Sequence, residues 1–139
     1  MQRTLVLIKP DAVAKNVWLN IIKTYEKYDL EIGPIRIFSP MPSALVKQFY
    51  AEHEGKRFFN DLVLFMSQGT TIAMMIVGYN VIALVRAING DTRPSEAVRG
   101  TIRREYGSDS DTPENAVHGS ANSDDAEREI KLIFGNQYS

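Results

Sequence analysis

The sequence predicts an α/β fold in which apolar strands alternate with amphipathic helices. Short, nearly continuous apolar runs occur at 4–9 and 71–78, which is the pattern of strands buried on both faces. Segments with apolar residues at helical spacing follow both runs. With 139 residues, 44% hydrophobic and 24% charged, the chain has the size and composition expected of one globular domain spanning 1–139.

The first third of the chain supplies two strands and a helix. After the strand at 4–9, a helix is predicted by apolar residues that recur at helical spacing: Val17, Ile21, Ile22, Tyr25 and Tyr28. Residues 31–38 predict a second strand. Because Pro34 has no amide hydrogen for a ladder, we expect this strand at an edge of the sheet or with a bulge.

Three helices and a strand are expected next. Pro42 can open a helix over 43–53, and a further helical segment at 59–69 ends at Gly69. The strand at 71–78 follows. Asn80 can cap a helix over 81–89, which Gly90 ends. The buried stripe of this helix consists of Val81, Leu84, Val85 and Ile88.

The last third combines a long loop, a short strand and a helix. Residues 89–113 lack strong apolar periodicity and predict a loop, and long loops within compact domains tend to be functional. Residues 115–118 predict a short strand, and a helix begins near Ser123 with acidic residues in its first turn. The complete order predicts a ferredoxin-like β-α-β-β-α-β sandwich, with an antiparallel four-stranded sheet covered by helices.

Glu129 borders the buried stripe of the last helix. A carboxylate in that position needs a partner to offset its desolvation, and His118, on the preceding strand, is the nearest candidate in the sequence. The alternative is that Glu129 points into solvent. Periodicity does not choose between the two arrangements.

Positive charge collects in the long loop. Its cations are Arg93, Arg99, Arg103 and Arg104, and Thr92, Thr101, Gly90 and Gly100 lie among them. Guanidinium groups with hydroxyls and flexible glycines suit phosphate, because arginine donates hydrogen bonds in a rigid fork. Lys9 ends a buried strand, and we expect its charge to emerge at the sheet edge. For any single one of these residues, an ordinary solvated surface charge is the simpler interpretation.

Other classes of function find little support. The chain has no GxxxxGK[ST] or GxGxxG motif, no cysteine, and two histidines too far apart for a zinc site, so we expect no protein-held metal. Its net charge of −1 gives no general reason to bind nucleic acid. The start of the chain lacks the pattern of a secretory signal and no apolar stretch is long enough to cross a bilayer, so we expect a cytoplasmic protein with no membrane partner.

Seven motifs in order resemble those of the nucleoside diphosphate kinase family. They are "TLVLIKPDAV", "FYAEH", "FF" eight residues after its tyrosine, "GDT.P", "GTIR", "NAVHGS" and "AEREI". The resemblance covers nearly the whole chain, and "DAVAKNV" and "FYAEHEGK" are most similar to bacterial members. It implies transfer of the γ-phosphoryl group of a nucleoside triphosphate, typically ATP, to a nucleoside diphosphate through a phosphohistidine, which maintains NTP and dNTP pools.

The resemblance also implies roles for individual residues. His118 would carry the phosphoryl group, with Glu129, Ser120 and Tyr50 beside it. Nucleotide contacts would come from the following residues: Arg86, Thr92 and Arg103 on phosphates, Lys9 and Asn115 on the sugar and transferring end, and Phe58 with Leu62 on the base. The loop would clamp the nucleotide, Mg²⁺ would travel on its phosphates, and ribo and deoxyribo nucleotides would both be substrates. His53 receives no role.

Several positions depart from the family pattern. They are Trp18, Leu19, Arg57, Thr70, Arg93, Arg99 and Ala121. The span 107–114 is also longer than expected, which leaves open the residue that covers the second face of the base.

Family members form homo-oligomers, so we expect a tetramer or hexamer with Trp18 and Leu19 as candidates for an interface. Two other functions stay open: a nucleotide-binding scaffold without turnover, and a single-strand nucleic-acid binder.

Overall fold

The protein is a four-stranded antiparallel sheet with helices on both faces. A computed structural model describes residues 1–108 and 113–138. The strands are β1 (Gln2–Ile8), β2 (Glu31–Phe38), β3 (Thr71–Gly78) and β4 (Val117–Gly119). They lie in the order β2-β3-β1-β4, and every neighbouring pair is antiparallel. This topology agrees with the ferredoxin-like prediction.

Seven α-helices occur in the described residues. They are α1 (Pro10–Ala14), α2 (Trp18–Glu26), α3 (Ser43–Phe49), α4 (Phe59–Met66), α5 (Val81–Asn89), α6 (Ile102–Tyr106) and α7 (Ser123–Phe134). None of the described helices is long and apolar enough to span a bilayer.

The side chains of β1 point alternately to the two faces of the sheet and pack into two separate core layers. Val6 and Ile8 face a cluster that includes Ile21 of α2 and Val85 of α5. The intervening side chains of β1 face the opposite way, onto a cluster that contains residues from α3, α4 and α7. Because successive strand side chains point to opposite faces, one apolar run supplies both layers. The central strands are therefore buried on both faces.

The edge strand β2 behaves as its proline predicts. Its pairing with β3 shifts register between Ile32 and Ile35, around Pro34. The side chains of Ile35 and Ile37 are 50% and 63% exposed, respectively. Both options that Pro34 left open, an edge position and a bulge, are therefore present in the structure.

Helix ends differ from the predictions by several residues. The first long helix stops at Glu26, so Tyr28 lies beyond it and is exposed. The helix that Pro42 opens ends at Phe49 and is followed by a 3₁₀ turn, Ala51–His53. The helix predicted to end at Gly69 ends at Met66 instead. Apolar residues continue past the first two ends, so periodicity overestimates those helices, whereas polar residues, Ser67 and Gln68, separate the end of α4 from Gly69.

Two short helices escape the sequence prediction. Helix α1 has five residues, too few to show a period, and starts at Pro10 where a missing amide hydrogen costs little. Helix α6 lies inside the predicted loop and begins after Thr101, whose hydroxyl accepts a bond from the Arg104 amide. Only Ile102 of α6 is buried, so the helix has no apolar stripe to detect.

The expected cap at the start of α5 is wrong, whereas the expected end of α5 and start of α7 are correct. Asn80 occupies the N-cap position of α5 with φ 53°, and its side chain makes no capping bond. Gly90 ends α5 with φ 89°, a conformation that glycine adopts readily. Helix α7 begins at Ser123. The side chain of its N-cap residue, Asn122, accepts a hydrogen bond from the Asp125 amide.

Candidate active site

His118 lies on β4 with its ring held by a buried carboxylate. Its Nε2 is 2.9 Å from Oε1 of Glu129, which is only 3% exposed. The Ser120 hydroxyl donates to the same oxygen at 2.7 Å. A carboxylate only accepts hydrogen bonds, so Nε2 carries the proton and Nδ1 keeps its lone pair in the neutral ring. Of the two arrangements open for Glu129, the structure has the pairing with His118.

Two aromatic rings wall the histidine. Tyr50 lies edge-on to His118 with ring centroids 6.1 Å apart, and Phe49 does so at 5.0 Å. Burial raises the pKa of the Tyr50 phenol, so it is neutral. Phe49 was missed by the sequence reasoning, although it directly precedes Tyr50 in "FYAEH". The rings leave His118 in an apolar but partly open position.

Lys9 is buried, and the expectation that its charge emerges at the sheet edge is wrong. Its ammonium donates to Oδ1 of Asn115 at 2.9 Å. Burial, followed by the nearby Arg103 charge, lowers the pKa of Lys9 to about 7. The cause is long-range: the Lys9 amide bonds to the Ala116 carbonyl, so the segment before β4 covers the end of β1.

Asn115 joins this lysine to the loop. Its Nδ2 donates to the Thr92 carbonyl at 3.0 Å while its Oδ1 accepts from Lys9. The side chain is 3% exposed. A single amide therefore connects the end of β1, the approach to β4 and the loop after α5.

A cleft of about 830 Å³ opens beside β4. Its lining includes the three residues expected on phosphates, Arg86, Thr92 and Arg103. Arg103 donates to the carbonyls of Gly90 at 2.9 Å and Val117 at 2.8 Å. The cleft reaches β4 at Gly119, next to His118. The lining also contains two carboxylates, Asp91 and Glu96, so it is the two guanidinium groups that suit this concave space to phosphate.

Phe58 and Leu62 lie one helical turn apart at the start of α4. The Leu62 amide bonds to the Phe58 carbonyl at 3.0 Å. Phe58 is 41% exposed, whereas Leu62 is buried. The His53 ring lies 5.2 Å from the Phe58 ring and is stacked on Tyr50 at 6.3 Å. A series of ring contacts therefore runs from His118 through Tyr50 and His53 to Phe58.

The residues that depart from the family pattern lie mainly at the surface. Ala121 lines the cleft, and its carbonyl accepts from Arg86 at 3.1 Å. Arg93 pairs with Glu96 at 3.7 Å, with both side chains exposed. Trp18 and Leu19 are exposed on α2. The residue that covers the second face of the base is expected near 107–114, and residues 109–112 of that segment lie outside the described residues.

Comparisons with known proteins agree with this geometry. The sequence profile of the family described as nucleoside diphosphate kinase matches residues 2–138. A nucleoside diphosphate kinase of Staphylococcus epidermidis is 42% identical over 134 residues, covering 96% of this chain and 88% of its own.

Two solved structures share the fold closely. A nucleoside diphosphate kinase of Halobacterium salinarum in complex with CDP is 36% identical with a TM-score of 0.90, covering 97% of this chain and 88% of its own. A transition state mimic of the Borrelia burgdorferi enzyme, with bound vanadate and ADP, is 27% identical with the same TM-score and the same coverage of both chains. The chain therefore belongs to the nucleoside diphosphate kinase family and is a phosphotransferase acting on nucleotides.

Proposed function

We propose that His118 carries the phosphoryl group in a ping-pong reaction between nucleoside triphosphates and diphosphates. Nδ1 attacks the γ-phosphorus, the bond to the β–γ bridging oxygen breaks, and its electron pair leaves with the nucleoside diphosphate. A second diphosphate then attacks the phosphohistidine in the reverse sense. The hydrogen bond from Nε2 to Glu129 supports this best, because it leaves Nδ1 as the nucleophilic nitrogen.

Arg86, Thr92 and Arg103 bind the phosphates in this proposal. All three line the cleft that reaches Gly119. Phosphoryl transfer asks the protein mainly for positioning and charge stabilisation, which fixed guanidinium groups supply. Lys9 and Asn115 hold the sugar and the transferring end, and the hydrogen bonds that Asn115 makes to Lys9 and Thr92 orient it for that role.

Phe58 stacks on the base and Leu62 lines the same shelf. Stacking does not distinguish bases, because every base has a π-face, so nucleotides of several bases are substrates. In this proposal both their ribo and their deoxyribo forms are accepted. The exposed ring of Phe58 supports this role. The loop 89–113 clamps the bound nucleotide. The relatives with bound CDP and with bound ADP and vanadate support nucleotide binding by this chain.

Mg²⁺ enters on the nucleotide phosphates in this proposal. The cleft lining contains the carboxylates of Asp91 and Glu96, beside the phosphate-binding cations. Across 1–108 and 113–138, no three His, Cys, Asp or Glu side chains are grouped so as to hold a metal ion. A phosphate-bound Mg²⁺ that keeps several waters fits these residues, and its charge would offset that of the phosphates.

The chain acts as one cytoplasmic domain, 1–139, within a homotetramer or homohexamer in this proposal. Nucleoside di- and triphosphates are its partners, with no specific nucleic acid and no membrane. Exposed apolar side chains support self-association: Trp18 and Leu19 on α2, and Ile35 and Ile37 on β2. Light scattering on the purified protein measures the assembly directly.

The decisive experiment follows a labelled γ-phosphoryl group. Wild-type protein with γ-labelled ATP and Mg²⁺ is expected to give an acid-labile, base-stable phosphoprotein that loses its label to GDP. His118→Ala is expected to take up no label, whereas His53→Ala, the control histidine, still labels. Label on His118→Ala that transfers to GDP would show that another residue is the carrier. Nucleotide binding without labelling of the wild type would favour the scaffold alternative.

A further inference from the structure

The Asp11 carboxylate reaches the segment that carries His118, although the proposed chemistry gives it no part. Asp11 lies in the first turn of α1, directly after Lys9 and Pro10. Its Oδ2 accepts a hydrogen bond from the Ala116 amide at 3.0 Å. The two residues are 105 positions apart in the chain, so this is a tertiary contact between the end of β1 and the approach to β4.

Ala116 needs such support because its backbone is strained. It has φ 75°, in a region that residues with a Cβ seldom adopt, and it is fully buried. The Val117 amide donates to the Asn115 carbonyl at 2.9 Å, which closes a γ-turn centred on Ala116. A γ-turn with positive φ is rare, and surrounding contacts must maintain it.

Both backbone groups of Ala116 are held by the start of the chain. The Lys9 amide donates to the Ala116 carbonyl at 2.8 Å, and Asp11 accepts from the Ala116 amide. The second bond has an ionised acceptor, which makes it the stronger type. Asn115 is the first residue of the turn, and His118 directly follows the last residue of the turn, on β4. The direction of both side chains therefore depends on the turn.

We propose that Asp11 is a positioning residue, whose carboxylate maintains the γ-turn at Ala116 and so sets the His118 ring and the Asn115 amide relative to the phosphates. This rests on the proposed function of His118. A competing explanation is electrostatic: Asp11 lies near the buried Lys9 and the Lys15 side chain, so its negative charge could be what counts. The two explanations differ in what they require of residue 11.

The test compares four variants in rapid-quench single-turnover assays. Asp11→Ala is expected to lower the rate of His118 phosphorylation about tenfold or more at saturating ATP, since small misplacements of a reacting group are costly. Asp11→Asn keeps an oxygen that accepts the same bond and is expected to stay within about threefold of the wild type. Ala116→Gly is expected to phosphorylate normally, because glycine adopts positive φ without strain.

The double variant Asp11→Ala/Ala116→Gly decides the mechanism. If Asp11 acts through the strained turn, its removal costs less than about threefold in the glycine background, a clear departure from additivity. The double variant folds on this proposal even if Asp11→Ala alone does not. An unchanged Asp11→Ala rate, equal losses in Asp11→Asn and Asp11→Ala, or an additive double variant would each overturn it.

A control variant and an exchange measurement distinguish this proposal from a general effect of carboxylate removal and from failure of the proposed function. Glu26→Ala removes an exposed carboxylate from α2, and we expect it to leave the rate unchanged. Hydrogen exchange of the Ala116 amide is expected to be protected in the wild type and in Asp11→Asn, and faster in Asp11→Ala. A wild type that forms no phosphohistidine would refute the proposed function, whereas the exchange measurement would still test the turn.

Discussion

The Glu129 carboxylate lies 2.9 Å from His118 Nε2, across the gap between α7 and β4. Their pairing follows from the fold. Strand β4 pairs with β1 so that His118 faces Leu7, and α7 packs back on the same sheet through its apolar stripe. A buried carboxylate on the edge of that stripe meets the imidazole, and Ser120 supplies a second donor. The packing that builds the core also selects the ring tautomer.

Glu129→Gln is expected to slow phosphorylation of His118. The Gln amide can donate to Nε2, which favours the tautomer with the proton on Nδ1 and removes the nucleophilic lone pair. We expect a loss on the order of 10²-fold in the single-turnover rate, because the tautomer with a free Nδ1 lone pair becomes the minor form. Glu127→Gln, on the exposed side of the same helix, serves as the control. A wild-type rate in Glu129→Gln would contradict the tautomer argument.

Ser120→Ala is expected to lower stability more than activity. The hydroxyl is fully buried, donates to Glu129 and accepts from the Leu5 amide at 3.0 Å. Its removal leaves that amide and the carboxylate each short of a partner, which costs about 1–3 kcal/mol of unfolding free energy. Urea unfolding measures the loss. Ser123→Ala, at an exposed position, is the matched control, and equal midpoints for the two variants would contradict the expectation.

Phe58→Ala is expected to weaken nucleotide binding without unfolding the protein. The ring is 41% exposed, so its removal opens little core. Loss of a stacked base costs about 1–3 kcal/mol, which corresponds to roughly 5- to 150-fold weaker binding. Calorimetric titration with ADP, GDP and CDP should give similar losses for all three. Tyr79→Ala removes another exposed ring as a control, and a loss confined to one base would point to base-specific recognition instead.

Local patterns predict the strands well because burial on two faces leaves a direct mark on the sequence. The strand at 71–78 has the predicted bounds, and the proline in β2 correctly indicates an edge with a bulge. Helix α6 leaves no such mark, since Ile102 is its one buried residue. Sequence periodicity reports burial, so elements held mainly by caps and hydrogen bonds escape it.

Contacts between distant segments are what the sequence could not supply. The motifs bring His118, Glu129 and Arg103 into the candidate site, and the structure places them together. The burial of Lys9 depends on a backbone bond to Ala116, and the support of Ala116 depends on Asp11. These are properties of a tertiary arrangement in which the ends of β1 and β4 meet, and no spacing rule along the chain reports them.

Lys9 is expected to make the free energy of unfolding rise with pH above neutrality. Its pKa is about 7 in the folded protein, through burial and then the Arg103 charge, against 10.5 for a free side chain. Between those values the unfolded chain binds a proton that the native protein does not, so the free energy of unfolding rises with pH. Below about 7 the ammonium is charged in both states, and the cost of burying it is present in full.

Lys9→Met, which keeps the length of the side chain without its charge, should lack this rise. The difference in unfolding free energy, wild type minus Lys9→Met, is therefore expected to increase by up to about 1.4 kcal/mol per pH unit above neutrality. Urea titrations of both proteins across that window measure it. Lys47→Met, at an exposed site on α3, should run parallel to the wild type. If Lys9→Met also runs parallel, the native lysine keeps its proton and another anion must stabilise its charge in the core.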